Sequence, residues 1–131
     1  MSNEIKVKFE RLILDLTRAT VEGKLEWKIK TPPNILSAGT DDVILAYYET
    51  TLKRQTIGLF QRRYPTFSGG YDGLLWNQNI VLVFLDSTRR VIWEYSEFQS
   101  ALYNLFQIVR ESCADVEGIL DELLSVNKAE K

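Results

Sequence analysis

The sequence predicts an α+β fold: an N-terminal helix, an antiparallel sheet of four or five strands in a meander, and two C-terminal helices packed on one sheet face. Three observations lead there. Apolar residues recur at helical spacing near both ends of the chain. Directly after Gly23 the apolar period drops from about 3.6 to 2. Between the helical ends, strand-like runs follow one another through turns too short for the crossovers that a parallel sheet needs. With 131 residues the chain has the size of one domain. It carries no internal repeat or interior linker, so residues 1–131 read as a single domain with a polar, frayed tail over about 127–131.

Each element has its own warrant. Phe9, Leu12, Ile13, Leu16 and Ala19 form one apolar stripe, predicting a helix from about Val7 to Glu22. Lys8, Arg11, Asp15 and Arg18 fall largely on the other side, and Gly23 supplies the left-handed stop. Lys24 to Lys30 alternates charged and apolar residues around Leu25, Trp27 and Ile29, the pattern of a half-buried strand ended by Pro32-Pro33. Val43 to Thr50 reads as the next strand, with Lys53, Arg54 and Gln55 as its turn. A third strand covers roughly Thr56 to Tyr64 and is expected to stop at Pro65. Residues 65–73, with Gly69, Gly70 and Gly73, read as a flexible loop. Ile80 to Leu85 is the most apolar strand and is expected at the sheet centre. Asp86 to Arg89 then turns the chain into a short strand, Val91 to Glu94.

Ser96-Glu97-Phe98-Gln99 matches a capping box and predicts a helix that turns Phe98, Leu102, Leu105, Phe106 and Val109 inward. Asp115 is placed to cap a last helix with apolar residues Val116, Ile119, Leu120, Leu123 and Leu124. Trp27 and Trp93, each in a short strand, are expected in the core.

The stretch Thr20-Val21-Glu22-Gly23-Lys24-Leu25-Glu26-Trp27, together with Ala101-Leu102-Tyr103, Asp115-Val116-Glu117 and Leu123-Leu124, resembles a group of short bacterial proteins with no known activity. Those proteins share a helix, a glycine-lysine-x-x-tryptophan strand entry, a sheet and two C-terminal helices. The resemblance covers roughly the first 25 and last 30 residues of the body, with element order between. It implies the fold and supplies no chemistry.

Composition removes several function classes. Sixteen basic residues against 18 acidic ones give a net charge of −2, which creates no broad field to attract nucleic acid or an anionic membrane. The single cysteine, Cys113, excludes an intramolecular disulfide and fits a reducing compartment. No signal-peptide pattern opens the chain, and its longest apolar run is far short of a membrane span. A cytoplasmic location is therefore expected. Histidine is absent, which removes the commonest general base and transition-metal ligand. Cys113 alone makes no zinc site and reads as a small, partly buried hydrophobe. Asp41 and Asp42, adjacent at a strand start, point to opposite faces and cannot easily converge on one substrate. Asp115, Glu117, Asp121 and Glu122 read as the solvated side of a helix. Catalytic residues, metal and cofactor are all expected to be none, and an enzyme working without histidine is kept as one alternative.

The most suggestive stretch runs from Phe60 to Tyr71. It interleaves Arg62 and Arg63 with aromatic residues and leads to Trp76. Aromatic and arginine side chains are what protein-interface cores favour, so Arg62, Arg63, Phe67, Tyr71 and Trp76 are the candidate partner-binding residues. The expected function is a non-catalytic interaction module, an accessory or regulatory subunit of a larger bacterial system that could also form a homodimer through its C-terminal helices. The other alternative is nucleic-acid association, with Lys53-Arg54 and Arg89-Arg90 extending the Arg62-Arg63 patch.

Overall fold

The structure is a computed structural model that describes residues 2–67, 74–97 and 99–129. Its elements are α1 (Asn3–Val21), β1 (Lys28–Ile29), β2 (Val43–Leu52), β3 (Gln55–Phe67), β4 (Leu74–Leu85), β5 (Val91–Tyr95), α2 (Ser100–Ala114) and α3 (Val116–Ala129). The five strands form one antiparallel sheet in the order β1-β2-β3-β4-β5. The α+β meander read from the sequence is the observed fold.

Helix α1 begins four residues earlier than its apolar stripe predicts, because Ser2 caps it by accepting from the Ile5 amide at 3.2 Å. At its other end Gly23 takes φ +73°. The Gly23 amide donates to the Thr20 carbonyl (3.1 Å) and the Lys24 amide to that of Ala19 (2.9 Å), the paired bonds of a Schellman stop. The Leu25 amide also returns to the Ala19 carbonyl. Residues 24 and 25 thus belong to the helix end, and the predicted strand shrinks to Lys28–Ile29. Trp27 is buried as expected, its Nε1 donating to Thr20 Oγ1 at 2.9 Å.

Lys53 and Arg54 both adopt positive φ, giving the two-residue hairpin turn whose twist suits flanking strands. Beyond it β3 does not stop at Pro65 but continues to Phe67, and β4 starts at Leu74 rather than Ile80. The proline is tolerated because the β2 ladder ends at Val43↔Arg63, leaving Pro65 with a strand partner on one side only. Asn77, Gln78 and Asn79 hid the first half of β4 from an apolar-run reading. The central strand is β3, with β4 one position further out. Of the predicted loop, residues 65–67 are strand, and 68–73 lie outside the described residues.

The sheet buries both faces. On one, Phe9, Ile13 and Leu16 of α1 and Leu102, Leu105, Phe106 and Val109 of α2 pack over Tyr48, Ile57, Leu59, Ile80, Leu82 and Tyr95. Phe9 stacks on Tyr95 (centroids 4.4 Å apart) and on Phe84 (5.5 Å), clamping α1 to the β4–β5 edge. On the other face Tyr47, Phe60, Val81, Val83 and Leu85 gather under Leu36, which a 3₁₀ turn at Asn34–Leu36 brings in. Trp93, expected in the core, is half exposed, since β5 is an edge strand.

The capping box at Ser96 does not form. Helix α2 starts at Ser100, after Gln99, and the Gln99 carboxamide donates instead to the Tyr95 hydroxyl and to Glu10. Phe98 lies outside the described residues. Asp115 does cap α3, its Oδ1 accepting from the Gly118 amide at 3.3 Å. Of the two C-terminal helices only α2 covers the sheet. The apolar side chains of α3 from Val116 to Leu124 stay exposed.

Gly58 sits where β3 passes beneath Tyr47. A Cβ there would lie 2.6 Å from Tyr47 Oη and 2.8 Å from Val83 Cγ2. Gly58→Ala is expected to lower stability by about 1–3 kcal/mol, through overpacking of a closed interior. Urea denaturation measures it, and an unchanged midpoint would show that Tyr47 has room to move.

Candidate functional site

The long strands β3 and β4 outlast their neighbours. The β2 ladder ends at Arg63 of β3 and the β5 ladder reaches only Leu82 of β4. The pairs Tyr64↔Asn77, Pro65↔Trp76, Thr66↔Leu75 and Phe67↔Leu74 therefore stand as a two-stranded ribbon, about 13 Å long at the usual rise per residue. Asn77 Nδ2 donates to Thr66 Oγ1 at 2.6 Å and ties its two strands.

The pleat sorts the predicted site residues. Alternation places Arg63, Pro65 and Phe67 on one face of the ribbon, with Trp76 directly opposite Pro65 on that same face. The Arg63 guanidinium lies 5.4 Å from the Trp76 ring centroid, a cation–π contact. Phe67 is 83% exposed and Trp76 43%. Three of the five candidates thus share one surface. Tyr71 lies outside the described residues.

Arg62 is different. It faces the opposite side, its side chain is 14% exposed, and its guanidinium forks onto Glu94 at 2.9 and 3.3 Å. Asp42 approaches its Nε at 3.7 Å, and Cζ lies over the Phe60 ring. This arginine ties β3 to β5 and to the residue that leads into β2, and is not available to a partner. The wider basic patch does not assemble either. Lys53, Arg54, Arg89 and Arg90 sit at the far end of the sheet, about 20 Å along β3 from Arg62. Arg90 is already paired with Asp86 at 3.5 Å.

Arg89 belongs to a buried cluster that the linear pattern did not reveal. Glu49 is buried in β2, where Arg89 meets its carboxylate at 2.7 and 2.9 Å and Tyr47 Oη donates to it at 2.8 Å. Arg89 also donates to the Thr31 carbonyl at 2.8 Å. A glutamate placed directly after the apolar run Val43 to Tyr48, still within the strand, was the available signal. Burial, then the hydrogen bond to Glu49 and the charge of that carboxylate, push the Tyr47 hydroxyl far up from its ordinary value of 10.0. Both carboxylate oxygens are occupied, which makes this a structural clamp.

A groove of about 410 Å³ lies at the ribbon's base, lined by Gln61, Gln78, Ile80, Gln99 and Tyr103 among others. Cys113 Sγ donates to the Trp27 carbonyl at 3.3 Å, and burial followed by the Glu26 charge pushes its thiol up. Among the described residues no three His, Cys, Asp or Glu converge on a metal-sized site, and no helix is long and apolar enough to cross a membrane. Comparison with protein-family models, curated proteins and solved structures finds no match to this chain.

Two predictions follow from these placements. Arg62→Met is expected to cost about 1–2 kcal/mol, whereas Arg63→Met stays within about 0.5 kcal/mol; equal losses in chemical denaturation would contradict the division of roles. For Tyr47 the folded state keeps its proton while the unfolded chain releases it above about pH 10, so stability falls as pH rises through that value. Tyr47→Phe should flatten this alkaline loss in pH-dependent melting, and an unaltered slope would remove Tyr47 as a cause.

Proposed function

We propose that this chain is a non-catalytic protein-interaction module, an accessory or regulatory subunit of a larger bacterial system working in the cytoplasm. A protein partner docks on the ribbon face bearing Arg63, Phe67 and Trp76, and Tyr71 is assigned to the same site by its place in the sequence. The observation that carries this is the ribbon itself: aromatic side chains held on a hydrogen-bonded ladder outside the core, one of them under an arginine. Exposed aromatic residues beside arginine are the composition of interface hot spots. Self-association through the C-terminal helices is the second part of the reading.

The nucleic-acid alternative draws less support. Phosphate recognition needs free cations, and Arg62, Arg89 and Arg90 each face a carboxylate. The alternative of an enzyme without histidine finds no activated group among the described residues. Cys113 is held toward its thiol form, and the buried Glu49 is fully paired.

The test is retention from a lysate of the source cell on immobilised protein, with and without nuclease. One protein is expected in near-equal amounts after nuclease treatment, and Phe67→Ala/Trp76→Ala should lose it with unchanged melting. Retention that disappears with nuclease would favour the nucleic-acid reading, and retention unaffected by the double variant would sink the ribbon assignment.

A further inference from the structure

Helix α3 is amphipathic and leaves much of its apolar side exposed. Val116, Ile119, Leu120, Leu123 and Leu124 fall at i, i+3, i+4, i+7 and i+8, on one face, and they are between 39% and 72% exposed. At 14 residues such a helix is marginal in water without something packed against that face. Its stripe is flanked by Glu117 on one side and Glu122 on the other, neither in an ion pair among the described residues.

Helix α1 carries a second stripe opposite its buried one. Val7, Leu14 and Val21 repeat every seven residues and are 57–67% exposed. Arg11 and Arg18 fall between them, so 7, 11, 14, 18 and 21 step by four, three, four and three, the spacing of a helix–helix seam. Neither arginine is in an ion pair among the described residues. Residues 116, 120 and 123 repeat the same step on α3. Arginine stems can lie on leucine surface while their guanidinium groups reach flanking carboxylates. In the single chain both stripes face water.

We propose that α3 of one copy lies along the outer stripe of α1 of a second copy, with the reciprocal contact made across a two-fold axis. The complementarity is of charge as well as heptad spacing. Glu117 and Glu122 frame the leucine stripe of one helix, and Arg11 and Arg18 punctuate the valine–leucine stripe of the other. A two-fold pair forms this contact twice, and it covers the stripes of all four helices. The acidic flanks argue against an anionic membrane as the occupant. This interface rests on the self-association part of the proposed function, and its test is separate from that of the ribbon.

The test is the molar mass and dimer affinity of the full chain by analytical ultracentrifugation, with circular dichroism confirming that each variant folds. Wild type is expected to dimerise reversibly. Leu120→Glu/Leu123→Glu should weaken the dimer by about a hundredfold or more, and Arg11→Glu/Arg18→Glu by about tenfold. Adding Glu117→Lys/Glu122→Lys to the arginine variant should restore affinity to within a few-fold of wild type, while Phe67→Ala/Trp76→Ala leaves it unchanged. A chain that stays monomeric at every concentration would overturn the proposal, as would a dimer indifferent to Arg11→Glu/Arg18→Glu or a charge swap that restores nothing.

Discussion

A strand buries its side chains only where further strands extend the sheet and another layer covers it. Here β3 has thirteen residues and β4 twelve, while β2 has ten and β5 five. The excess length all falls at one end, because the tight turn at Lys53-Arg54 and the short turn at Asp86–Arg90 fix the registers at the other. Past Arg63 the two strands pair only with each other, and among the described residues no layer lies above side chains such as Phe67 and Trp76. The exposed aromatic face is thus a geometric consequence of unequal strand lengths. Hydrophobic burial opposes such an arrangement, and the Arg63–Trp76 contact offsets only part of the exposure.

The charges of the sheet are arranged around the opposite requirement. Among the described residues, its second face is covered by the 3₁₀ turn that brings in Leu36 and by no α-helix, so polar groups complete the cover. Arg62 bridges to Glu94 and Asp42, while Arg89 reaches across to Glu49 beneath Tyr47. A carboxylate buried without its cation would be strongly destabilising, so Arg89 is required wherever Glu49 is retained. Arg89 takes its positive φ within the Asp86–Arg90 turn, where its amide donates to the Asp86 carbonyl. These arginines are used for closure, which leaves Arg63 as the aromatic ribbon's own arginine.

What could be read from the sequence follows from the range of each signal. The Gly23 stop, the Asp115 cap and the inward face of α2 are set by residues within a few positions of one another and were legible. The hairpin turn was placed correctly but read one residue too long, since Gln55 already pairs with Leu52 as the first residue of β3. Pro65 was read as a strand end because its missing amide matters only if a strand lies on that side, and the end of β2 is a tertiary fact. The polar run Asn77 to Asn79 hid half of β4 for the same reason: an alternation that faces water on both sides has no apolar period to detect. Ser96 lost to Gln99 because the Gln99 side chain finds Tyr95 and Glu10, the latter 89 positions earlier in the chain. The aromatic content of the site was visible. Arg62 and Arg63 were read together as one site; strand parity puts them on opposite faces, and the partners of Arg62 are visible only in the fold.

The ribbon and α3 are both uncovered, yet they are held in different ways, and this bears on how each can bind. Ribbon residues are paired backbone to backbone with their opposite strand and tied by Asn77 to Thr66. Most of their ordering cost is met when the sheet folds, so a partner meets a surface already in its bound shape. Helix α3 hangs from one left-handed residue and one capping bond at Asp115. Without tertiary packing its helicity depends on its own propensity, which Gly118 weakens in the first turn. Whatever covers the α3 stripe therefore also supplies much of the free energy that keeps α3 helical. Association there is coupled to ordering, so its affinity is lowered by that cost and made sensitive to single changes along the stripe.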